Sequence, residues 1–132
     1  MRNIIDNYGR SAGKVWKTLS IYGPLDEQNL IKKSRITKKD FYVGVGWLAR
    51  ENKICKTGTK YQLGETNLTN NIGTNAGKVW STLNTTHDID VSTIAKISQI
   101  TSKDAYSALG WLACEDKIKP IVNNKEVKFE LK

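Results

Sequence analysis

The chain has 132 residues, 39% hydrophobic and 26% charged, enough for one ordinary domain or two very small ones with packed cores. It holds no run of about eighteen apolar residues and no apolar leader behind Met1-Arg2-Asn3-Ile4-Ile5-Asp6, which excludes a membrane span and makes a cytoplasmic protein the expectation. Lys and Arg outnumber Asp and Glu by 21 to 13, a net charge of +8, so a polyanion is the first partner to consider.

In chain order, Ala12, Val15, Trp16 and Leu19 stand at i, i+3, i+4 and i+7, which predicts an amphipathic first helix and assigns Trp16 and Leu19 to a core. Gly23-Pro24 ends that helix. Asp26 is placed to cap a short second helix whose Leu30 and Ile31 point inward. Ser34-Arg35-Ile36 makes a tight connection, and Thr37-Lys38-Lys39-Asp40 reads as a capping box with Asp in place of Glu. A third helix follows with Phe41, Val45 and Leu48 facing inward. From Lys53-Ile54 the chain turns extended and forms a hairpin as far as Leu63, and Gly64 to Asn70 makes a short polar linker.

The whole unit then repeats. Asn7-Tyr8-Gly9-Arg10-Ser11-Ala12-Gly13-Lys14-Val15-Trp16 recurs as Asn71-Ile72-Gly73-Thr74-Asn75-Ala76-Gly77-Lys78-Val79-Trp80, an offset of 64, and Gly46-Trp47-Leu48-Ala49-Arg50-Glu51 maps onto Gly110-Trp111-Leu112-Ala113-Cys114-Glu115. From Asp6 to Ile54 the copies align without a gap and about half the positions are identical; all four tryptophans fall in equivalent pairs. The second copy therefore carries Trp80 and Leu83 in its first helix, an Asp90 cap before Ile94-Ala95, the connection Ser98-Gln99-Ile100, and the box Thr101-Ser102-Lys103-Asp104. Its third helix turns Ala105, Leu109 and Leu112 inward. Past Ile54 and Ile118 the copies diverge, and Tyr61-Gln62-Leu63 matches Phe129-Glu130-Leu131 only if the second hairpin gains four residues at its tip.

Helix, short helix, turn, helix and hairpin is the order of a winged helix-turn-helix. The expected fold is α+β and mainly helical: two tandem winged helix-turn-helix domains, 1–65 and 66–132, each with three helices and a β-hairpin wing. A unit of that size buries only about 60% of its unfolded surface, so docking between the copies is expected. The tryptophans should help, each buried indole contributing about 3 kcal/mol. Trp47 and Trp111 lie one step before an inward leucine and have two readings, a stacking platform for bases or an indole packed beneath the wing against Val43 or the hairpin. Packing is favoured, because an exposed Trp in both copies would invite association. The core set is thus Trp16, Leu19, Leu30, Val45, Trp47 and Leu48, with Trp80, Leu83, Ile94, Leu109, Trp111 and Leu112 in the second copy.

Ala-Gly-Lys-Val-Trp at 12–16 and 76–80, with Gly-Trp-Leu-Ala-Arg-Glu-x-Lys-Ile at 46–54, resembles the small bacterial winged-helix domains grouped as a family of unknown function. The resemblance covers Asn7 to Leu63 and Asn71 to Leu131. It implies the fold and, generically, a DNA-binding domain. Members of that family are usually single-copy, so the tandem arrangement departs from it. Cys114 stands where the first copy has Arg50, which weakens any role for that position in the second copy.

In a helix-turn-helix the third helix enters the major groove by its N-terminal residues. Those are Arg35, Thr37, Lys38, Lys39 and Tyr42 in copy one, and Gln99, Thr101, Ser102, Lys103 and Tyr106 in copy two. The cations suit guanine edges or phosphates, and the hydroxyls suit phosphate oxygens; the plain reading is a solvated basic helix end. Arg50, Lys53 and the wing lysines Lys56, Lys60, Lys125 and Lys128 are further phosphate contacts, although hairpin lysines also protect sheet edges. Gly9-Arg10-Ser11-Ala12-Gly13-Lys14 is no phosphate loop: only three residues separate the glycines, Val15 follows the Lys, and no strand precedes. It reads as a glycine pair for helix packing, with Lys14 and Lys78 beside it for solvent or phosphate. Cys55, Cys114 and His87, which should be exposed, are too few for a structural zinc site. No paired carboxylates or triad point to catalysis, so neither a cofactor nor a metal is expected.

The charge is uneven. Residues 1–66 hold thirteen Lys/Arg and six Asp/Glu, +7, while residues 67–132 hold eight and seven, +1. The expectation is a transcription-associated protein that binds double-stranded DNA mainly through copy one, with copy two as a brace, a weaker half-site or a surface for protein contact. The rival is a protein–protein module using the wing or the apolar third helix, where Phe41, Val43, Gly44, Val45, Gly46 and Trp47 are unusual for a groove reader.

Overall fold

The structure, a computed structural model, describes residues 3–132. Helix α1 (Ile4–Tyr22) opens on Asn3, whose side chain accepts from the Asp6 N–H at 2.8 Å, and closes on Gly23 at φ 76°. Strand β1 (Leu25–Asp26) leads into α2 (Glu27–Ser34), capped by the Asp26 carboxylate at 2.9 Å from the Asn29 nitrogen. Arg35 turns the chain through the left-handed region, φ 58°, into α3 (Lys38–Arg50). The wing is β2 (Ile54–Thr57) and β3 (Lys60–Leu63), antiparallel, with β1 added in the order β1-β3-β2.

The second copy repeats this with local changes. A π-helical turn (Thr69–Gly73) precedes a shorter α4 (Thr74–Thr85). Helix α5 (Val91–Ser98) is capped by Asp90, and Gln99 repeats the left-handed turn at φ 58° before α6 (Ser102–Cys114). Strands β4 (Ile118–Asn123) and β5 (Glu126–Leu131) pair from Ile118↔Leu131 to Asn123↔Glu126, each two residues longer than its counterpart, so the four added residues do extend the hairpin tip. Thr37 and Thr101 supply the N-cap half of each expected box, accepting from the Asp40 and Asp104 nitrogens at 3.2 and 3.1 Å. Asn67 in the linker binds the backbone nitrogen and carbonyl of Lys56, which ties the connection to the first wing.

Each copy builds a core, and each core includes residues of the other. Val15, Leu19, Leu30, Phe41, Val45, Leu48, Ile54 and Tyr61 cluster with Ile72 from the second copy. Val79, Leu83, Ile94, Leu109, Leu112, Ile118 and Phe129 cluster with Tyr8 and Val43 from the first. Tyr8 and Ile72 occupy equivalent positions, so the exchange is reciprocal. In copy one Phe41 meets Tyr61 edge-to-face, ring centroids 5.4 Å apart. Copy two has Ala105 in place of Phe41, and the ring beside Phe129 is Tyr8 at 6.5 Å. Burial raises the Tyr8 phenol well above its ordinary value and pushes Tyr61 up to about 12, because loss of water disfavours the phenolate, with Asp40 and Glu27 adding to it.

The copies join through their third helices. One side of α3 faces its own core through Phe41, Val45 and Leu48; the other lies on α6. A Cβ on Gly46 would stand 1.9 Å from the Ser107 carbonyl oxygen, and one on Gly110 would stand 2.0 Å from that of Val43. Positions 43 and 107, like 46 and 110, are equivalents, so the two contacts exchange under an approximate twofold.

Three expectations are corrected. Trp16 and Trp80, assigned to the core, are 43% and 40% exposed: the buried stripe of each first helix is narrow, and Ala12, Val15 and Leu19 (Ala76, Val79 and Leu83) fill it. Trp47 and Trp111 are partly buried but not beneath the wing. Their indoles lie on Gly9 and Gly73, about 3.5 Å from where a Cβ would be, and each touches both cores. The supposed glycine pair therefore divides, because Gly9 receives an indole while nothing lies within 4 Å of a Cβ on Gly13.

Candidate nucleic-acid interface

The α3–α6 contact changes what the third helix offers. The face opposite a third helix's own core is the one that enters a major groove in a helix-turn-helix, and here α6 covers it. Several residues expected at a DNA surface meet instead at the junction. The Arg50 Nε donates to Glu115 Oε2 at 3.0 Å, and its guanidinium lies 5.8 Å from the Trp111 ring centre. Lys103 stands 3.6 Å from Glu27 and 5.3 Å from the Tyr42 ring centre. The Tyr42 hydroxyl donates to Glu27 Oε2 at 3.0 Å; desolvation, then that carboxylate, raises the phenol. Lys39 lies 5.9 Å from the centre of the Tyr106 ring. Cys114 occupies the place where a second Arg–Glu bridge would form, and burial together with the nearby Glu51 raises its thiol.

The remaining positions separate further. Thr37 and Thr101 use their hydroxyls as caps. Lys53 pairs with Glu51 at 3.5 Å, and Lys56 leans over the Tyr61 ring at 5.2 Å. Arg35, Lys38, Lys60 and Ser102 are exposed, as is His87.

A different surface gathers four unpaired cations of copy one. Arg10, Lys14 and Lys17, at i, i+4 and i+7 on α1, line a concavity of about 630 Å³ with Arg35, and Thr37 and Asp40 close one end. Among the described residues none of these four cations is paired with a carboxylate. Their equivalents are Thr74, Lys78, Ser81 and Gln99, so the second copy keeps one cation of the four. The spacing was visible in the sequence, since three cations recurring at helical intervals opposite an apolar stripe must share a face. Attention to the third helix passes over it.

A second surface is preserved in both copies. Gly13, Trp16 and Trp47 frame a groove of about 410 Å³ with Glu51 and Lys53 on its rim, and Gly77, Trp80 and Trp111 frame its twin of about 320 Å³ beside Glu115 and Lys117. Every lining position carries the same residue in the two copies, although only about half the aligned positions do overall.

Among the described residues no helix is long and apolar enough to cross a membrane, and no three His, Cys, Asp or Glu side chains stand together as a metal site. Three helices, the third entered through a left-handed turn and followed by a hairpin, define each half as a winged helix-turn-helix. The model of the family described as Winged helix-turn-helix domain (DUF2582) matches residues 1–64 and again 67–131, and the chain belongs to that family. No curated protein and no solved structure matches the chain.

Proposed function

We propose that the protein is a non-enzymatic, transcription-associated or nucleoid-type factor that binds double-stranded DNA through its phosphates, mainly with the α1 face of copy one. The observation that carries this is the concavity of Arg10, Lys14, Lys17 and Arg35, four cations without carboxylate partners among the described residues on the half that holds +7 of the +8 charge. Phosphate contacts position a protein on a duplex without reading sequence. With α6 lying over the middle of α3, only its N-terminal end, at Lys38, stays exposed for base contact, so the reading includes weak sequence preference.

Duplex binding across a salt series tests it. Each neutralised phosphate adds about 0.9 to the slope of log affinity against log salt. Replacing Arg10, Lys14, Lys17 and Arg35 together by Ala should lower that slope by about 3 to 4 and abolish most binding near 50 mM salt. Lys103→Ala, which removes a cation already held by Glu27, should change the slope little. Absence of duplex binding near 50 mM salt, or tight sequence-selective binding untouched by the fourfold variant, would sink the proposal.

The twin tryptophan grooves favour a second reading, a protein-interaction module, because an exposed Trp preserved on both copies is costly unless something covers it. The apolar third-helix face is already spent on α6, which leaves the grooves for that role. Replacing Trp16 and Trp80 by Ala separates the uses of these walls. Unchanged nucleic-acid affinity leaves them to a protein, and lost single-strand affinity assigns them to base stacking.

A further inference from the structure

The two ends of the domain junction differ by one carboxylate. At one end Glu27, in the first turn of α2, accepts from the Tyr42 hydroxyl at 3.0 Å and stands 3.6 Å from the Lys103 ammonium, which also lies over the Tyr42 ring. Under the approximate twofold these three residues become Val91, Tyr106 and Lys39. The geometry repeats in part, with the Lys39 ammonium 5.9 Å from the centre of the Tyr106 ring. Val91 offers no carboxylate, however, and among the described residues neither Lys39 nor the Tyr106 hydroxyl has an ionic or hydrogen-bonded side-chain partner.

The place is open. A cavity of about 480 Å³ is lined by Lys39, Val91 and Tyr106, over a floor of Ile4, Val127 and Phe129. Its volume lies in the ordinary range for small-ligand sites, and an apolar floor with a few polar groups on one side is their usual make-up. Three acids also border it. The Asp90 carboxylate is committed to capping α5, at 2.9 Å from the Thr93 nitrogen, whereas Asp40 and Glu126 line the cavity together with Lys39 and Lys125 and pair with neither.

We propose that this cavity binds a small amphipathic organic carboxylate. The ligand's carboxylate would take the position that Glu27 fills at the other end, accepting from Tyr106 and Lys39, and its apolar body would cover Ile4, Val91, Val127 and Phe129. Charge-assisted hydrogen bonds favour the anion over a neutral head group of the same size, and burial of the tail supplies affinity that the head group alone lacks. The occupied twin shows that this pair of side chains holds a carboxylate within the same fold.

Octanoate, octanol and octylamine, titrated into the full chain by calorimetry with amide NMR shifts at Val91, Tyr106 and Val127, test the proposal independently of any DNA binding. Octanoate should saturate the site and bind at least about tenfold tighter than octanol. Val91→Glu should reproduce the occupied end from within, raising the melting temperature and weakening octanoate by at least about tenfold. Glutamate is favoured in a helix's first turn, where Glu27 already stands, so this variant is expected to fold. Lys39→Met should weaken octanoate and leave octanol unchanged. The proposal is overturned by no saturable octanoate binding up to about 10 mM, by octanol or octylamine binding as tightly as octanoate, or by a folded Val91→Glu protein that binds octanoate like the parent.

Discussion

Glycine shows how one residue type takes opposite roles on one fold. Inside a helix it is less stable than alanine by about 0.5–1 kcal/mol, because it has more backbone freedom to lose. At Gly46 that loss is outweighed by contact, since any side chain would collide with the Ser107 carbonyl of the facing helix. At Gly13 nothing in the chain occupies the space a methyl would fill. Gly46→Ala should therefore force α3 and α6 apart and destabilise the protein by about 2–3 kcal/mol or more. Gly13→Ala should stabilise it by about 0.5–1 kcal/mol. Urea unfolding of the two variants decides the matter, and a Gly46→Ala midpoint equal to the parent's would refute the helix contact as described. The same reasoning reads Arg50 and Cys114 as unequal partners, one bridging the copies through Glu115 and the other leaving Glu51 to Lys53.

At the scale of elements, caps turn sequence into boundaries. Hydrogen bonds from the Thr93 side chain and backbone hold the Asp90 carboxyl below its usual 3.8. A depressed folded value means the ionised cap stabilises α5 fully above that pH, and the contribution is lost as pH falls through the folded value. Asp90→Ala should cost about 1 kcal/mol at neutral pH, and the gap from the parent should close below pH 3.8. An equal gap at pH 7 and pH 3, measured by chemical unfolding, would rule this out. Such features were legible in the sequence because they are local: a helical period, an Asp or Thr at a cap, a four-residue excess at a hairpin tip. What escaped was the width of each buried stripe, which left Trp16 and Trp80 outside, and the identity of the surface that meets α3. Both copies displayed their Gly46 and Gly110, but a small-residue face does not name its partner. The candidate site divides the same way. Lysine at 39 or 103 and arginine at 50 read as charge awaiting phosphate, and only the packing shows that carboxylates of the sister copy already hold Lys103 and Arg50 while Lys39 has only the Tyr106 ring nearby.

The molecule as a whole is a duplicated unit whose halves have grown dependent and unequal. Its basic charge sits on one copy, while its cores are shared: Tyr8 and Val43 complete the second, Ile72 and Leu68 the first. A unit of about 65 residues has little stability to spare, and separation would remove those residues and expose the glycine faces of α3 and α6 to water. Fragments 1–66 and 67–132, expressed apart, should each lose cooperative melting, and mixing them should restore it as the two third helices find one another. The intact chain should melt in a single transition, since two such interlocked cores cannot unfold in sequence without exposing their common boundary. Circular dichroism melting of each fragment, of the mixture and of the full chain tests this directly. If each fragment alone melts cooperatively at the temperature of the intact protein, the exchange of core residues contributes nothing to stability.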